Sequence, residues 1–482
     1  MSDGILWTAQ ETVAATGGRS VGPDWDASGV AIDSRSVQPG DLFVALRGPN
    51  HDAHRFVVDA LANGAAAAIV AAVPEGLPKD AALIVVADTL HAMEALGRAA
   101  RQRVTARIVA ITGSVGKTGT KSALAQVLSR LGRTHASVGS YNNHWGVPLS
   151  LARMPRDTEF GIFEIGMNHP GEIRPLVAQV RPHIALVTNV EAVHLAYFQS
   201  VDAIADAKAE IFSGVLPGGT AVLGRDGAYF DRLCAHALDD GIEQIHSFGQ
   251  HADSLTRLTR DVLHPTCSCV TALVAGTELA YKIGAPGRHW VTNSLAVLAT
   301  VQALDGDLAI AGLALADVQA PPGRGQRHHL GWGAGAIEVI DESYNASPVA
   351  MRAAFDLLAA ARPGPRGRRV AVLGDMRELG DQADGFHRAL AGELVDRNID
   401  LAFCAGPHMA ALFEALPPVL QGHYAADSEA LLAPVAAALR AGDVVLVKGS
   451  LGSRLGPVVA GLLALRENNG DHPDMTGAGG GG

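Results

Sequence analysis

The segment Gly113-Ser-Val-Gly-Lys-Thr118 constrains this chain more than any other. Before it stands Ile108-Val-Ala-Ile-Thr112, with the apolar, β-branched character of a buried strand; after it Thr120–Leu131 reads as a helix. A strand, a glycine-rich turn and a helix in that order make a phosphate-binding loop, here with two residues between the glycines rather than the usual four. In such a loop the backbone of Gly113, Ser114, Val115, Gly116 and Gly119 approaches the phosphates closely, helped by the positive end of the helix. Lys117 neutralises β and γ oxygens, and the Thr118 hydroxyl suits Mg²⁺. A chance glycine-rich turn with an exposed lysine is the bland alternative, and the flanking strand and helix weigh against it.

The rest of the chain fits an α/β protein. At roughly 150 residues per domain, 482 residues suggest about three domains. The first, 1–103, has strands at Asp41–Leu46 and Ala65–Ala72, a helix at His54–Gly64, and a basic helix end at Arg98–Arg103 that reads as solvated and leading into a linker. The second, 104–324, continues past the loop with strands at Phe160–Ile165, His183–Val190 and Thr220–Leu223 and a helix at Ala203–Phe212. Strands alternating with helices predict a mainly parallel, doubly wound sheet, and Ser254–Ala280 reads as a β-rich extension. The third, 325–466, has strands at Ile337–Asp341, Arg369–Leu373, Leu401–Cys404 and Asp443–Val447. Helices at Pro348–Ala361, Asp384–Arg397 and Ser428–Arg440 complete a second Rossmann-like unit. The glycine-rich tail, 467–482, reads as disordered.

Composition narrows the partners. A net charge of −11 disfavours a protein that holds nucleic acid or an anionic membrane. The longest strongly apolar stretch, Ala65–Val73, is far short of the ~20 residues a membrane helix needs. No secretory signal is evident and four cysteines make no disulfide framework, so a cytoplasmic location is expected. Cys267 and Cys269 read as strand-core residues rather than zinc ligands, because the pair lacks a downstream partner pair at zinc spacing. Cys234 and Cys404 read as ordinary small apolar residues.

Three residues beyond the loop suit a second cation: Glu164 at the end of its strand, His194 after another, and Lys208 in a helix. Each has a bland explanation, as a cap, a loop histidine and a solvated lysine. Hard cations take oxygen ligands, so an unmodified lysine cannot be one.

Taken together and in order, the motifs resemble the Mur ligases of peptidoglycan synthesis, and within them the branch that adds a D-alanyl-D-alanine dipeptide. Asp33-Ser-Arg-Ser36 with Pro39–Leu46 resembles the family's uridine-nucleotide module, and Thr112–Thr118 its ATP loop. Tyr141–Pro148, Glu164–Gly171, Glu191–Leu195 and Ala207–Phe212 are similar to the blocks that follow, the last two containing the family's metal histidine and carbamylated lysine. Gly287–Asn293, Pro322–Arg324, Asp341–Pro348 and Lys448–Ser450 resemble its adenine-side, linker and C-terminal motifs. The resemblance spans about residues 30–456. Four positions depart from the pattern: Gly119, His144, Ala196 and Ser347.

This resemblance implies a three-domain enzyme with a central P-loop ATPase domain and a C-terminal Rossmann-like domain. It implies ATP, two Mg²⁺ ions and a carbamylated Lys208, with UDP-MurNAc-tripeptide and D-Ala-D-Ala as substrates and a monomeric state. Lys117, His194 and Lys208 become catalytic; Thr118, Glu164, His194 and Lys208 bind metal, the carbamate answering the objection to lysine. Asn293, Arg324 and Glu342 join the loop in holding ATP. Ser34 and Arg35 would grip the uridine diphosphate, Asn142 and Asn143 the sugar-peptide, and Tyr344, Asn345 and Ser450 the dipeptide. A sister ligase adding a single amino acid is the nearest rival, and its Asp-Asn-Pro-Arg motif is not found. Folylpolyglutamate synthase shares the central fold but not the N-terminal module. A P-loop ATPase that drives a partner, and a non-catalytic scaffold, are the rivals of other classes.

Overall fold

The computed structural model describes residues 4–48, 51–193 and 195–468. Its three large sheets follow one another along the chain. The first has five strands in the order Arg19–Val21, Leu83–Val85, Ala67–Val70, Asp41–Val44 and Gly29–Ala31, all parallel except the Arg19–Val21 edge.

The second sheet has nine strands. Six are parallel neighbours: Thr134–Ala136, Phe160–Glu164, Arg107–Thr112, Ile184–Val187, Thr220–Gly224 and Gln244–Gly249. Thr256–Leu263 continues them in parallel, and Ser268–Val274 and Thr277–Ile283 then turn back antiparallel. The β-rich extension expected at 254–280 is therefore the far edge of the central sheet. The third sheet runs Gln326–Trp332, Gly335–Glu342, Val444–Lys448, Arg369–Gly374, Leu401–Ala405, Gln421–Ala425, with one antiparallel pair at its start.

The strand before the phosphate loop shows why its sequence is continuously apolar. Val109 and Ile111 enter one core with Leu124 and Val127 of the helix Lys117–Leu128, whereas Ile108 and Ala110 enter another with Val147 and Phe163. Both faces are covered, so no polar alternation is tolerated. Each fully buried Val or Ile contributes about 1.5–3 kcal/mol, which makes this strand a rigid base for the loop.

Several expectations need correction. Arg98–Arg103 is not a solvated linker entry: Arg101 is buried, and its Nε and Nη2 donate to the carbonyls of Val180 and Arg181 at 2.8 Å each. Arg103 stacks on Trp7, 4.2 Å from guanidinium carbon to ring centroid. This helix end thus docks the first sheet on the second. Cys269 does not join a core, because the strand alternates and its side chain takes the exposed face between buried Ser268 and Val270. Cys267 precedes that strand and is half-buried, while Cys404 is buried as expected. The helix expected at Ser428–Arg440 is a 3₁₀ turn, Glu429–Leu431, followed by Leu432–Ala438. The last helix, Gly456–Asn468, reaches two residues into the tail, whose remainder lies outside the described residues. Among the described residues no helix is long and apolar enough to cross a membrane.

Candidate active site at the phosphate loop

The loop leaves its strand at the carboxyl edge of the central sheet. Gly113 and Gly116 have φ of 144° and 87°, a region that side chains other than glycine avoid. A Cβ on Gly113 would strike the Thr188 hydroxyl, which donates to the Val115 carbonyl at 2.7 Å. Two of the loop's N–H groups are already engaged. Ser114 N donates to the Asn189 carbonyl at 3.0 Å and Val115 N to Asn189 Oδ1 at 2.9 Å. What faces a phosphate is therefore the helix start, where Gly116 is the N-cap and no side chain caps the first turn.

Lys117 folds back over the loop, donating to the Gly113 carbonyl at 2.6 Å. Burial pulls its pKa down; nearby Glu164 opposes this and Arg324 adds to it. Thr118 Oγ1 lies 3.5 Å from Ser140 Oγ, which also accepts from Arg324 Nη2 at 3.3 Å. Gly119 has a packing reason: a Cβ there would lie 3.2 Å from the rim of Trp290 and 3.6 Å from Asn293 Nδ2. Asn293 itself sits 3.0 Å from where a Gly116 Cβ would be, so the expected ATP residue does border the loop.

Glu164 ends the neighbouring strand, is 1% exposed, and is in register with Ile111. Its Oε1 accepts from Asn142 Nδ2 at 2.8 Å, and its Oε2 has no hydrogen bond among the described residues. Lys121, a residue that sequence reasoning missed, places Nζ 3.4 Å from that Oε2 and donates to the Gly139 carbonyl. Burial lowers the Lys121 pKa against the pull of Glu164.

Lys208 lies in the helix Val201–Ala209, which Ser200 caps by accepting from Ala203 N at 3.2 Å. The side chain is 2% exposed, and no hydrogen bond or ion pair holds its ammonium among the described residues. Burial and then the charge of Lys117 drive its pKa well below the usual lysine value. The free amine is thereby favoured. His194 lies outside the described residues.

Other expected residues are distributed around this centre. Arg324 stacks on Tyr344 at 4.3 Å, which brings the C-terminal sheet to the loop through Ser140. Glu342 Oε2 pairs with buried Lys448 at 3.0 Å, and the same ammonium donates to the Asn345 carbonyl at 3.0 Å. The Ser450 hydroxyl accepts from Arg377 N at 3.0 Å, shaping a turn within the C-terminal sheet. Asn143 Oδ1 accepts from Trp145 N and Gly146 N at 3.1 and 2.9 Å, so it caps the start of the helix Gly146–Ala152. Ser347, one of the departures, is the N-cap of Pro348–Ala360. Ser34 and Arg35 occupy a surface 3₁₀ turn of the first sheet, where Arg35 Nη2 pairs with Asp33 at 2.6 Å. The structure does not link these two to the loop by any contact among the described residues. Ala196 N donates to the Glu378 carbonyl at 3.1 Å, a second bridge from central to C-terminal sheet.

Three family models match in order along the chain: "Mur ligase family, catalytic domain" over 26–103, "Mur ligase middle domain" over 111–301, and "Mur ligase, glutamate ligase domain" over 323–451. The Escherichia coli UDP-N-acetylmuramoyl-tripeptide–D-alanyl-D-alanine ligase is 34% identical over 475 residues, covering 96% of this chain and 99% of that protein. Among solved structures, Acinetobacter baumannii MurF superposes with a TM-score of 0.81 at 30% identity, covering 95% of this chain and 99% of the other. MurF from Thermotoga maritima, solved in complex with ADP, gives 0.74 at 25% identity over 92% and 98% of the two chains.

Proposed function

The chain belongs to the Mur ligase family, within its UDP-N-acetylmuramoyl-tripeptide–D-alanyl-D-alanine ligase branch, and from that premise we propose how its residues divide the work. The protein is an ATP-dependent ligase of peptidoglycan precursor synthesis. It joins D-Ala-D-Ala to UDP-MurNAc-tripeptide as a cytoplasmic monomer of three domains, 1–103, 104–324 and 325–466. The observation that carries this reading is the group of buried Thr118, Glu164 and Lys208 around half-buried Lys117 at the carboxyl edge of the central sheet, with Arg324 near that lysine.

In the first step an oxygen of the tripeptide's terminal carboxylate bonds to the γ-phosphorus of ATP as the bond to the ADP oxygen breaks. The amine of D-Ala-D-Ala then attacks the acyl carbon and loses a proton. The carbon–oxygen bond breaks and phosphate leaves. Lys117, already curled over the loop, swings from the Gly113 carbonyl to the γ-phosphate and offsets its charge. Asn293 and Arg324 border the nucleotide, and Glu342 acts at the hinge through Lys448. Ser34 and Arg35 hold the uridine diphosphate at the first sheet, with Asn142 and Asn143 beside the sugar-peptide. Tyr344, Asn345 and Ser450 lie on the side from which the dipeptide enters. The bridges Arg324–Ser140 and Ala196–Glu378 close the cleft and exclude water from the acyl phosphate.

Mg²⁺ fits this edge on two observations. Among the described residues, buried Glu164 Oε2 has no hydrogen bond, and no hydrogen bond or ion pair holds the buried Lys208 amine. Among the described residues no three His, Cys, Asp or Glu side chains converge, so further oxygen must come from Thr118, from a carbamate on Lys208 and from the nucleotide, with His194 as the nitrogen ligand. The neutral amine that burial favours is the form that attacks CO₂, and the carbamate turns a repelling group into an anionic oxygen donor. Two Mg²⁺ ions held there would supply positive charge against the phosphates.

Amine selectivity tests the reading. With ATP and UDP-MurNAc-tripeptide present, D-Ala-D-Ala should support faster product formation than D-Ala, glutamate or lysine. Faster ligation of a single amino acid would move the protein to a sister branch.

A further inference from the structure

Lys121 lies one helical turn beyond Lys117, and the roles above leave it unassigned. Its side chain is 4% exposed and that of Glu164 1%, which is rare for lysine and glutamate. Its Nζ reaches two elements at once: Glu164 Oε2 at 3.4 Å, and the Gly139 carbonyl, to which it donates. Gly139 immediately precedes Ser140, which touches both Thr118 and Arg324, and lies three residues before Asn142, which holds Glu164 Oε1. The ammonium thus pins the segment that carries Ser140 and Asn142, and faces the carboxylate oxygen that lacks a hydrogen bond.

We propose that Lys121 is a positioning residue whose ammonium is the resident counter-charge of Glu164, fixing the carboxylate at the sheet edge and setting how tightly it takes up a divalent cation. This rests on the reading of Glu164 as a metal ligand. A buried carboxylate without a counter-charge is costly, and removing one partner of a buried pair leaves the other charge uncompensated. A divalent cation compensates the same oxygen, so ammonium and metal act in opposition: the lysine stabilises the metal-free site and weakens the metal's hold, which favours exchange between turnovers.

The test is Mn²⁺ titration of the full-length, nucleotide-free protein, followed by electron paramagnetic resonance, together with thermal melting with and without Mn²⁺. Lys121→Met should bind Mn²⁺ at least about threefold more tightly than wild type, because a like charge near the ion is gone. Its melting temperature should fall without metal and recover, relative to wild type, at saturating Mn²⁺. Lys121→Arg, which keeps the charge, should stay close to the wild-type affinity. Lys121→Gln gives the same readout if the methionine variant fails to fold. Unchanged or weaker Mn²⁺ binding in the neutral variants, with an equal melting loss in both conditions, would reduce Lys121 to a fold-stabilising lysine. Glu164→Gln separates the two claims. If it binds Mn²⁺ like wild type, the metal assignment fails whatever Lys121 does.

Discussion

Arg324 stacks on Tyr344 with 4.3 Å between guanidinium carbon and ring centroid. One residue comes from the segment leaving the central sheet, the other from the turn after the strand Gly335–Glu342. Because Arg324 Nη2 also reaches Ser140 Oγ at 3.3 Å, the pair transmits the position of the C-terminal sheet to the phosphate loop. Gly323, at φ 71°, allows the close approach, since a Cβ there would lie 2.9 Å from that of Tyr344.

Tyr344→Leu should therefore weaken domain closure more than ATP binding. A cation–π contact is worth about 0.5–2 kcal/mol, so kcat should fall by about twofold to thirtyfold, with ADP affinity changed little. Arg324→Lys should lose more, because lysine keeps the charge but not the planar stack. Steady-state kinetics with ADP titration calorimetry separates the two effects; equal losses of ADP affinity in both variants would contradict this coupling.

Lys208→Arg and Lys208→Ala should both lose most activity. Arginine cannot carry a carbamate, and alanine leaves a hole in a site that was 2% exposed. Acetate or formate should partly restore Lys208→Ala by supplying carboxylate oxygens, and should not restore Lys208→Arg, whose side chain fills the hole with the wrong charge. Intact-protein mass spectrometry after CO₂ trapping checks the modification itself. Wild-type turnover by Lys208→Arg at limiting Mg²⁺ would make this an ordinary buried lysine.

The amino-terminal end of the central strands has its own pH response. His183 Nδ1 accepts from Ile108 N at 2.9 Å, and burial, with Arg101 and Arg107 adding to it, lowers its pKa to about 4. An unfolded histidine titrates near 6.5, so between those values the unfolded chain binds the extra proton. Folding stability should rise with pH across that window and fall as pH drops through it. Urea unfolding of wild type and His183→Asn between pH 4.5 and 7.5 should show a shallower slope in the variant. An identical slope would remove His183 as its source.

Much of this site was legible because backbone geometry dictated it. A strand, Gly113-Ser-Val-Gly-Lys-Thr118 and a helix admit few alternatives; Glu164 stands at its strand's carboxyl end as expected, but spacing alone favoured a bland reading and its metal role came from the family resemblance. Lys121 was hidden, since a lysine on a helix reads as solvated until Glu164 and Gly139 are seen to enclose it. Arg101 was misread for the same reason: its acceptors, Val180 and Arg181, are distant in sequence. Asn143 and Ser347 have local duties as helix caps, which a motif viewed as a string does not distinguish from substrate contacts. Cys269 went wrong because the two faces of the strand Ser268–Val274 look alike until its register against both neighbours is fixed.

The central claim is that phosphate passes through the tripeptide's carboxylate. Tripeptide substrate labelled with ¹⁸O in its terminal carboxylate, incubated with ATP and D-Ala-D-Ala, tests this directly by mass spectrometry of the released phosphate. Acyl-phosphate ligation places one labelled oxygen in each phosphate and none in ADP, in step with peptide formation. Unlabelled phosphate, or ADP release that continues without the dipeptide and forms no product, would make the protein an ATPase rather than a ligase.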